Sequence, residues 1–209
     1  MPRDAVGSGH ARSLRSREVP RLAIFCSGFG SNFEAILQAV RSGRLKAEIA
    51  VLVCDKPGAY AIQRAVRRKI PVVCVSPKLF VSKPDYEQFM TSILRQEKVD
   101  LVVLAGFMRI LSPVFIHAWK NRIVNVHPSY LPAFKGAHAI QDAFSAKTPH
   151  TGVTIHLVNE EVDAGKILAQ EKILIQKRET LASLEKRVHR LEHRLYPETI
   201  GRYLKKIKN

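Results

Sequence analysis

Asn125 and His127 stand two residues apart in Ile123-Val124-Asn125-Val126-His127-Pro128. In an extended chain that spacing puts both side chains on one face, and Pro128 holds His127 extended. Polar side chains in an otherwise apolar strand are costly to bury without partners. A histidine alone there reads as a satisfied core residue. An asparagine and a histidine together at the carboxyl end of a strand read as a site. An amide donor beside an imidazolium suits a reaction that builds negative charge on a carbonyl oxygen, as when an amine attacks a formyl carbon. The third candidate is Asp163, in Glu160-Glu161-Val162-Asp163-Ala164-Gly165. Taken alone it is a turn residue beside glycine. Within reach of His127, its carboxylate would favour the imidazolium form. Asn125, His127 and Asp163 are the candidate catalytic residues. No serine elbow, catalytic cysteine motif or HExxH-type metal signature accompanies them. Direct attack of an amine on an activated acyl donor needs neither a covalent intermediate nor a metal, so no metal site is expected.

A second cluster is Ser27-Gly28-Phe29-Gly30-Ser31-Asn32, which follows an apolar run and precedes a helical pattern. Glycines let the backbone approach a ligand, and a helix N-terminus offers free N–H groups and a positive dipole end. Ser31 and Asn32 are expected to cap that helix. A dinucleotide fingerprint needs glycine where Phe33 stands, and a P-loop needs Gly-Lys-Ser/Thr, which is missing. The loop therefore reads as a seat for a single terminal phosphate, with a purely structural turn as the alternative.

These residues need elements to hold them. Buried strands are predicted over 21–27, 49–54, 71–75, 101–105 and 123–126, with helices over 32–40, 60–68, 85–98 and 141–146 between or after them. Strands alternating with helices imply a parallel sheet with right-handed crossovers, and ligands bind beyond the carboxyl ends of its strands. Residues 151–158 and 167–175 form two further strands, joined by a connection too short for a helical crossover, so they pair antiparallel. An amphipathic helix over 180–206 ends the pattern, with an interruption expected at Pro197. The expected fold is single-domain α/β: a Rossmann-like, mostly parallel twisted sheet flanked by helices, with an antiparallel addition near the C-terminus.

Hydrophobic residues make up 46% of the 209, enough for a core. No apolar run reaches the eighteen or so residues of a membrane span, which points to a soluble, cytoplasmic protein with no membrane partner. Cys26, Cys54 and Cys74 end three separate apolar runs and read as reduced, buried thiols. The net charge of +16 is spread out: residues 166–209 carry twelve Lys/Arg against five Asp/Glu on a helical pattern. There is no zinc-finger spacing and no basic run interleaved with aromatics, so a solvated basic face is expected rather than a specific nucleic-acid partner. Residues 1–20 hold four arginines and no apolar stretch. They are read as a disordered basic extension rather than a secretory signal.

Four motifs in order carry a resemblance: Cys-Ser-Gly-Phe-Gly-Ser-Asn at 26–32, Leu-Ala-Gly-Phe-Met-Arg-Ile-Leu-Ser-Pro at 104–113, Asn-Val-His-Pro-Ser-Tyr-Leu-Pro at 125–132 and Val-Asp-Ala-Gly at 162–165. Together they resemble the glycinamide ribonucleotide formyltransferase family, continuously from about residue 21 to about residue 203. The resemblance implies that residues 21–209 are a formyltransferase domain of purine biosynthesis with 10-formyltetrahydrofolate as formyl donor. It implies His127 as general acid, Asn125 as oxyanion donor and Asp163 as the group that tunes His127. It puts the ribonucleotide phosphate on Gly30, Ser31 and Asn32, and the amine end of that substrate near Glu192. It puts the folate against Met108, Arg109, Ile110 and Leu111, with Lys83, Asn125 and Glu161 nearby and the 159–163 loop closing over it. On their own residues 107–111 read equally well as helix-start packing. The partners implied are small molecules, with the chain a monomer or homodimer.

The chain departs from the family pattern at Phe134-Lys135, where Tyr-Pro is usual, and at Ala164, where a second glycine is usual. Loop 132–138 is therefore expected to differ in shape. Three rival readings fit parts of the pattern. A formyltransferase acting on initiator methionyl-tRNA would suit the charge but normally carries a further C-terminal domain and lacks the 30–32 signature. A formyltetrahydrofolate hydrolase carries an extra leading domain, for which residues 1–20 are too short. A basic nucleic-acid module on a degenerate enzyme fold rests on charge alone.

Overall fold

A computed structural model describes residues 19–208. Of the basic extension read at positions 1–20, residues 1–18 lie outside them. Pro20 is already part of the fold: it is buried, and its carbonyl accepts the Glu48 amide at 2.8 Å.

The strands are β1 (Arg21–Cys26), β2 (Glu48–Cys54), β3 (Val72–Cys74), β4 (Leu101–Leu104), β5 (Ile123–His127), β6 (His150–Leu157) and β7 (Ile167–Leu174). The helices are α1 (Ser31–Arg41), α2 (Tyr60–Arg67), α3 (Lys83–Gln96), α4 (Pro113–Ala118), α5 (Ala139–Ser145) and α6 (Leu181–Lys208), with a 3₁₀ turn at Pro77–Leu79. All seven strands join one sheet in the order β3-β2-β1-β4-β5-β6-β7. Pairings from β3 to β5 are parallel, and β6 and β7 are antiparallel. The chain leaves β1 toward β2 on one side and returns to β4 on the other. The reversal opens a crevice beyond the carboxyl ends of β1 and β4.

Each face of the sheet carries its own core. One packs Leu22, Ile24, Val124 and Val126 against α1 and α6 through Phe33, Ile36, Leu184 and Tyr196. The other packs Phe25, Val102 and Leu104 against α3 and α4 through Met90, Leu94 and Phe115. Near-continuous apolar strands are what two covered faces require. Among the described residues no helix is long and apolar enough to cross a membrane.

Three sequence expectations change. First, α6 runs unbroken through Pro197. A proline costs a helix one backbone bond and a clash, but Leu195, Tyr196 and Ile200 on either side are buried in the core, and Tyr196 Oη reaches the carbonyls of Leu104 (2.9 Å) and Val124 (3.1 Å). Tertiary packing on both sides holds the helix together. Second, residues 113–118 form α4, a six-residue helix that the sequence pattern does not predict. Third, the cysteines lie in register across β1, β2 and β3, Cys26 opposite Cys54 and Cys54 opposite Cys74. Cys26 and Cys54 are buried, but Cys74 is exposed because β3 is the sheet edge.

Candidate active site

Strand alternation fixes the first part of the site. Val124 and Val126 face α1 and α6, so Asn125 and His127 face the opposite side of the sheet. β6 pairs antiparallel with β5 and sets His156 directly opposite Asn125. The Asn125 amide nitrogen lies 3.2 Å from His156 Nε2. Nδ1 of His156 donates to the Leu157 carbonyl at 3.0 Å.

Asp163 arrives on the 159–166 connection. It adopts φ 51, and Gly165 lets the chain turn back into β7: a Cβ there would stand 1.6 Å from the Leu157 carbonyl oxygen. Ala164, by contrast, has no left-handed backbone, so alanine serves there without strain. The Asp163 carboxylate is half-buried between two histidines, Oδ2 at 3.3 Å from His127 Nδ1 and Oδ1 at 3.6 Å from His156 Nε2. It accepts the Gly136 amide at 2.9 Å. Burial works against its charge, but His156, the Gly136 amide and the charge on His127 outweigh burial and hold its pKa below the usual carboxylate range.

The 132–138 loop closes on this group. His127 Nε2 donates to the Phe134 carbonyl at 2.7 Å, so both ring nitrogens of His127 face acceptors. Phe134 itself has φ 56, unusual for a bulky residue. Lys135 pairs with Glu161 at 2.7 Å, and His117 of α4 pairs with Glu160 at 2.7 Å. The loop that carries Asp163 is thus tied on both sides.

Across the edge of the sheet lies a cavity of about 1020 Å³. The 28–32 loop and α6 form its walls, and Val126 and Pro128, the neighbours of His127, reach its floor. Gly30 is the N-cap of α1 with φ 73, and no side chain caps the helix. Ser31 and Asn32, expected as caps, are instead its first helical residues, which leaves the terminal amides open. Asn32 donates to Glu192 at 3.0 Å, and Glu192 also receives His189 Nδ1 at 2.9 Å. That hydrogen bond raises the His189 pKa. Buried Glu192 therefore stands beside the glycine loop rather than beside His127. Asn32 Oδ1 and His193 Nε2 are buried without partners in the same wall.

A second cavity of about 500 Å³ meets the first at Met108 and is lined by Lys83, Tyr86 and residues 107–111. Met108 and Ile110 are exposed, while Leu111 is buried in the core. Arg109 donates through Nε to Asp55 at 2.6 Å. Beneath lie two unpartnered buried oxygens, Tyr86 Oη and Asp55 Oδ1; burial, helped by Asp55, pushes the Tyr86 hydroxyl up to about 12. Among the described residues no three or more His, Cys, Asp or Glu side chains converge on a point that could hold a metal ion.

This arrangement matches known proteins along nearly the whole chain. The family model described as formyl transferase covers residues 20–200. A phosphoribosylglycinamide formyltransferase of Bacillus subtilis (strain 168) is 42% identical over 88% of this chain and 94% of its own length. The chain belongs to the phosphoribosylglycinamide formyltransferase family. A solved structure of the family from Bacillus halodurans superposes with a TM-score of 0.86 at 47% identity, covering 89% of this chain and 96% of that one. The human trifunctional purine biosynthetic protein adenosine-3 is 36% identical over 86% of this chain, which spans 18% of that larger protein.

In this formyltransferase the structure brings Asn125, His127 and Asp163 into one cluster, and gathers Gly30, Ser31, Asn32 and Glu192 along another wall. Lys83 and residues 108–111 line the adjoining cavity, and Glu161 sits on the 159–166 connection, paired with Lys135. Sequence reasoning missed His156, the Gly136 amide and the Phe134 carbonyl. His156 could have been found only from the β5–β6 register, which no short motif encodes.

Proposed function

We propose that this formyltransferase moves the formyl group of 10-formyltetrahydrofolate onto the amino group of glycinamide ribonucleotide, a step of de novo purine biosynthesis. The observation that carries the reading is the Asp163 carboxylate, held between His127 and His156 at the carboxyl end of β5. The folate supplies the formyl group on a nitrogen that departs as an amine.

The residues divide the work by chemistry. Asn125 donates its amide N–H to the formyl oxygen as negative charge develops there. His127 acts as general acid, and Asp163 balances the charge of its imidazolium. The attacking amine gives up a proton and the departing nitrogen takes one; His127 and Asp163, in contact, relay it. Gly30, Ser31 and Asn32 hold the ribonucleotide phosphate. Glu192, one hydrogen bond from Asn32, holds the same substrate. Met108, Arg109, Ile110 and Leu111 carry the pterin side of the folate, Lys83 its anionic end, and the Glu161 loop covers it.

The test is an acceptor panel. Purified protein and formyl donor are mixed with glycinamide ribonucleotide, charged initiator tRNA, or no acceptor, and deformylated folate is followed. Consumption is expected with the ribonucleotide alone. Equal consumption with tRNA or with water would replace this reading.

A further inference from the structure

We propose that Arg64 is a positioning residue that aims the phosphate loop, an inference that rests on the ribonucleotide reading above. The loop is held from behind by α2. Ala61 N–H donates to the Gly28 carbonyl at 3.1 Å, and Arg64 Nε donates to the Phe29 carbonyl at 3.1 Å. In a trans peptide the carbonyl and the following N–H point in opposite directions. Two successive carbonyls drawn toward α2 therefore turn the N–H groups of Phe29 and Gly30 away from α2, into the large cavity that both residues line. Neither amide has a protein acceptor among the described residues. The fit against α2 is tight: a Cβ on Gly30 would stand 2.7 Å from Ala61 Cβ.

Arg64 is itself immobilised. Its guanidinium lies 4.5 Å from the centroid of the Phe29 ring and 4.9 Å from that of Tyr60, and the two rings stack at 5.1 Å and 10°. Nη1 pairs with Glu34 at 3.1 Å. The exposed Phe29 ring thereby has partners: it stacks on Tyr60 and carries the Arg64 guanidinium over its face. Glu34 balances the arginine's charge, so Arg64 acts through the direction of the Gly30 amide rather than as a phosphate ligand. The planar fork of an arginine can meet a carbonyl, a carboxylate and two rings at once; a lysine offers a single point donor.

The experiment compares kcat/KM for glycinamide ribonucleotide with kcat/KM for glycinamide riboside, which lacks the phosphate. The variants are Arg64→Met, Arg64→Lys and, as control, Arg67→Met, whose side chain meets the Tyr60 hydroxyl at 3.3 Å but does not touch the loop. A misdirected amide loses a hydrogen bond to a charged group, so the preference for the phosphorylated substrate should fall about tenfold or more in both Arg64 variants. It should hold in Arg67→Met, and KM for the folate should not move. Comparing both Arg64 variants keeps the test open if one of them fails to fold. A wild-type enzyme with no preference for the phosphorylated substrate would remove the phosphate reading itself. A wild-type preference kept in a folded Arg64 variant would overturn the role of Arg64 alone.

Discussion

Asp163 is the residue on which the site's electrostatics turn. It is half-buried, which works against its charge, yet His156, the Gly136 amide and His127 keep its pKa below the usual carboxylate range. Asp163→Asn keeps the shape and removes the charge that balances the His127 imidazolium. A general acid contributes about 10²- to 10⁴-fold, so turnover should fall within that range while KM for the ribonucleotide stays close to wild type; a variant with intact turnover would return Asp163 to a turn residue. The same group has a stability signature. Because its folded pKa is depressed, its contribution is full above the unfolded value of about 3.9 and is lost as pH falls through the folded value. Denaturant unfolding of Asp163→Asn should show a flatter dependence on pH below about pH 4. At this scale much was legible. Asn125 and His127 declared themselves because two polar side chains on one face of an apolar strand need a reason. His156 did not, because its meaning comes from a partner 31 residues away across the β5–β6 pairing.

At the scale of elements, the sheet order follows from alternation of short apolar runs with amphipathic stretches, and the antiparallel end follows from a connection too short to cross over. The helix ends were harder to read. α4 begins at Ser112-Pro113, with Ser112 accepting the Phe115 amide at 3.3 Å; six residues are too few to show a period. Pro197 was misread because local propensity argued for a break that burial overrides. Its cost persists within α6, so Pro197→Ala should raise stability, by up to about 3 kcal/mol for a proline in a helix interior. A thermal melt decides this, with a raised midpoint expected. A lowered midpoint would mean that the packing of Leu195, Tyr196 and Ile200 depends on the bend a proline imposes.

For the whole molecule, the sheet works as a partition. His127 and Asn125 face one side, the glycine loop and α6 wall the cavity on the other, and the two meet at the carboxyl edge of β5. The net charge of +16 suits anionic substrates without naming them, and that is why composition alone was silent where four ordered motifs were specific. The central claim is direct transfer between two small molecules brought together at that edge. It is tested most directly by a single turnover with a ¹³C-formyl donor and glycinamide ribonucleotide, followed by NMR. The label is expected to move to the ribonucleotide amide, one product for each folate consumed, and His127→Ala to slow this step by about 10²- to 10⁴-fold. Label appearing as formate or on the protein, or an unchanged rate in His127→Ala, would contradict it.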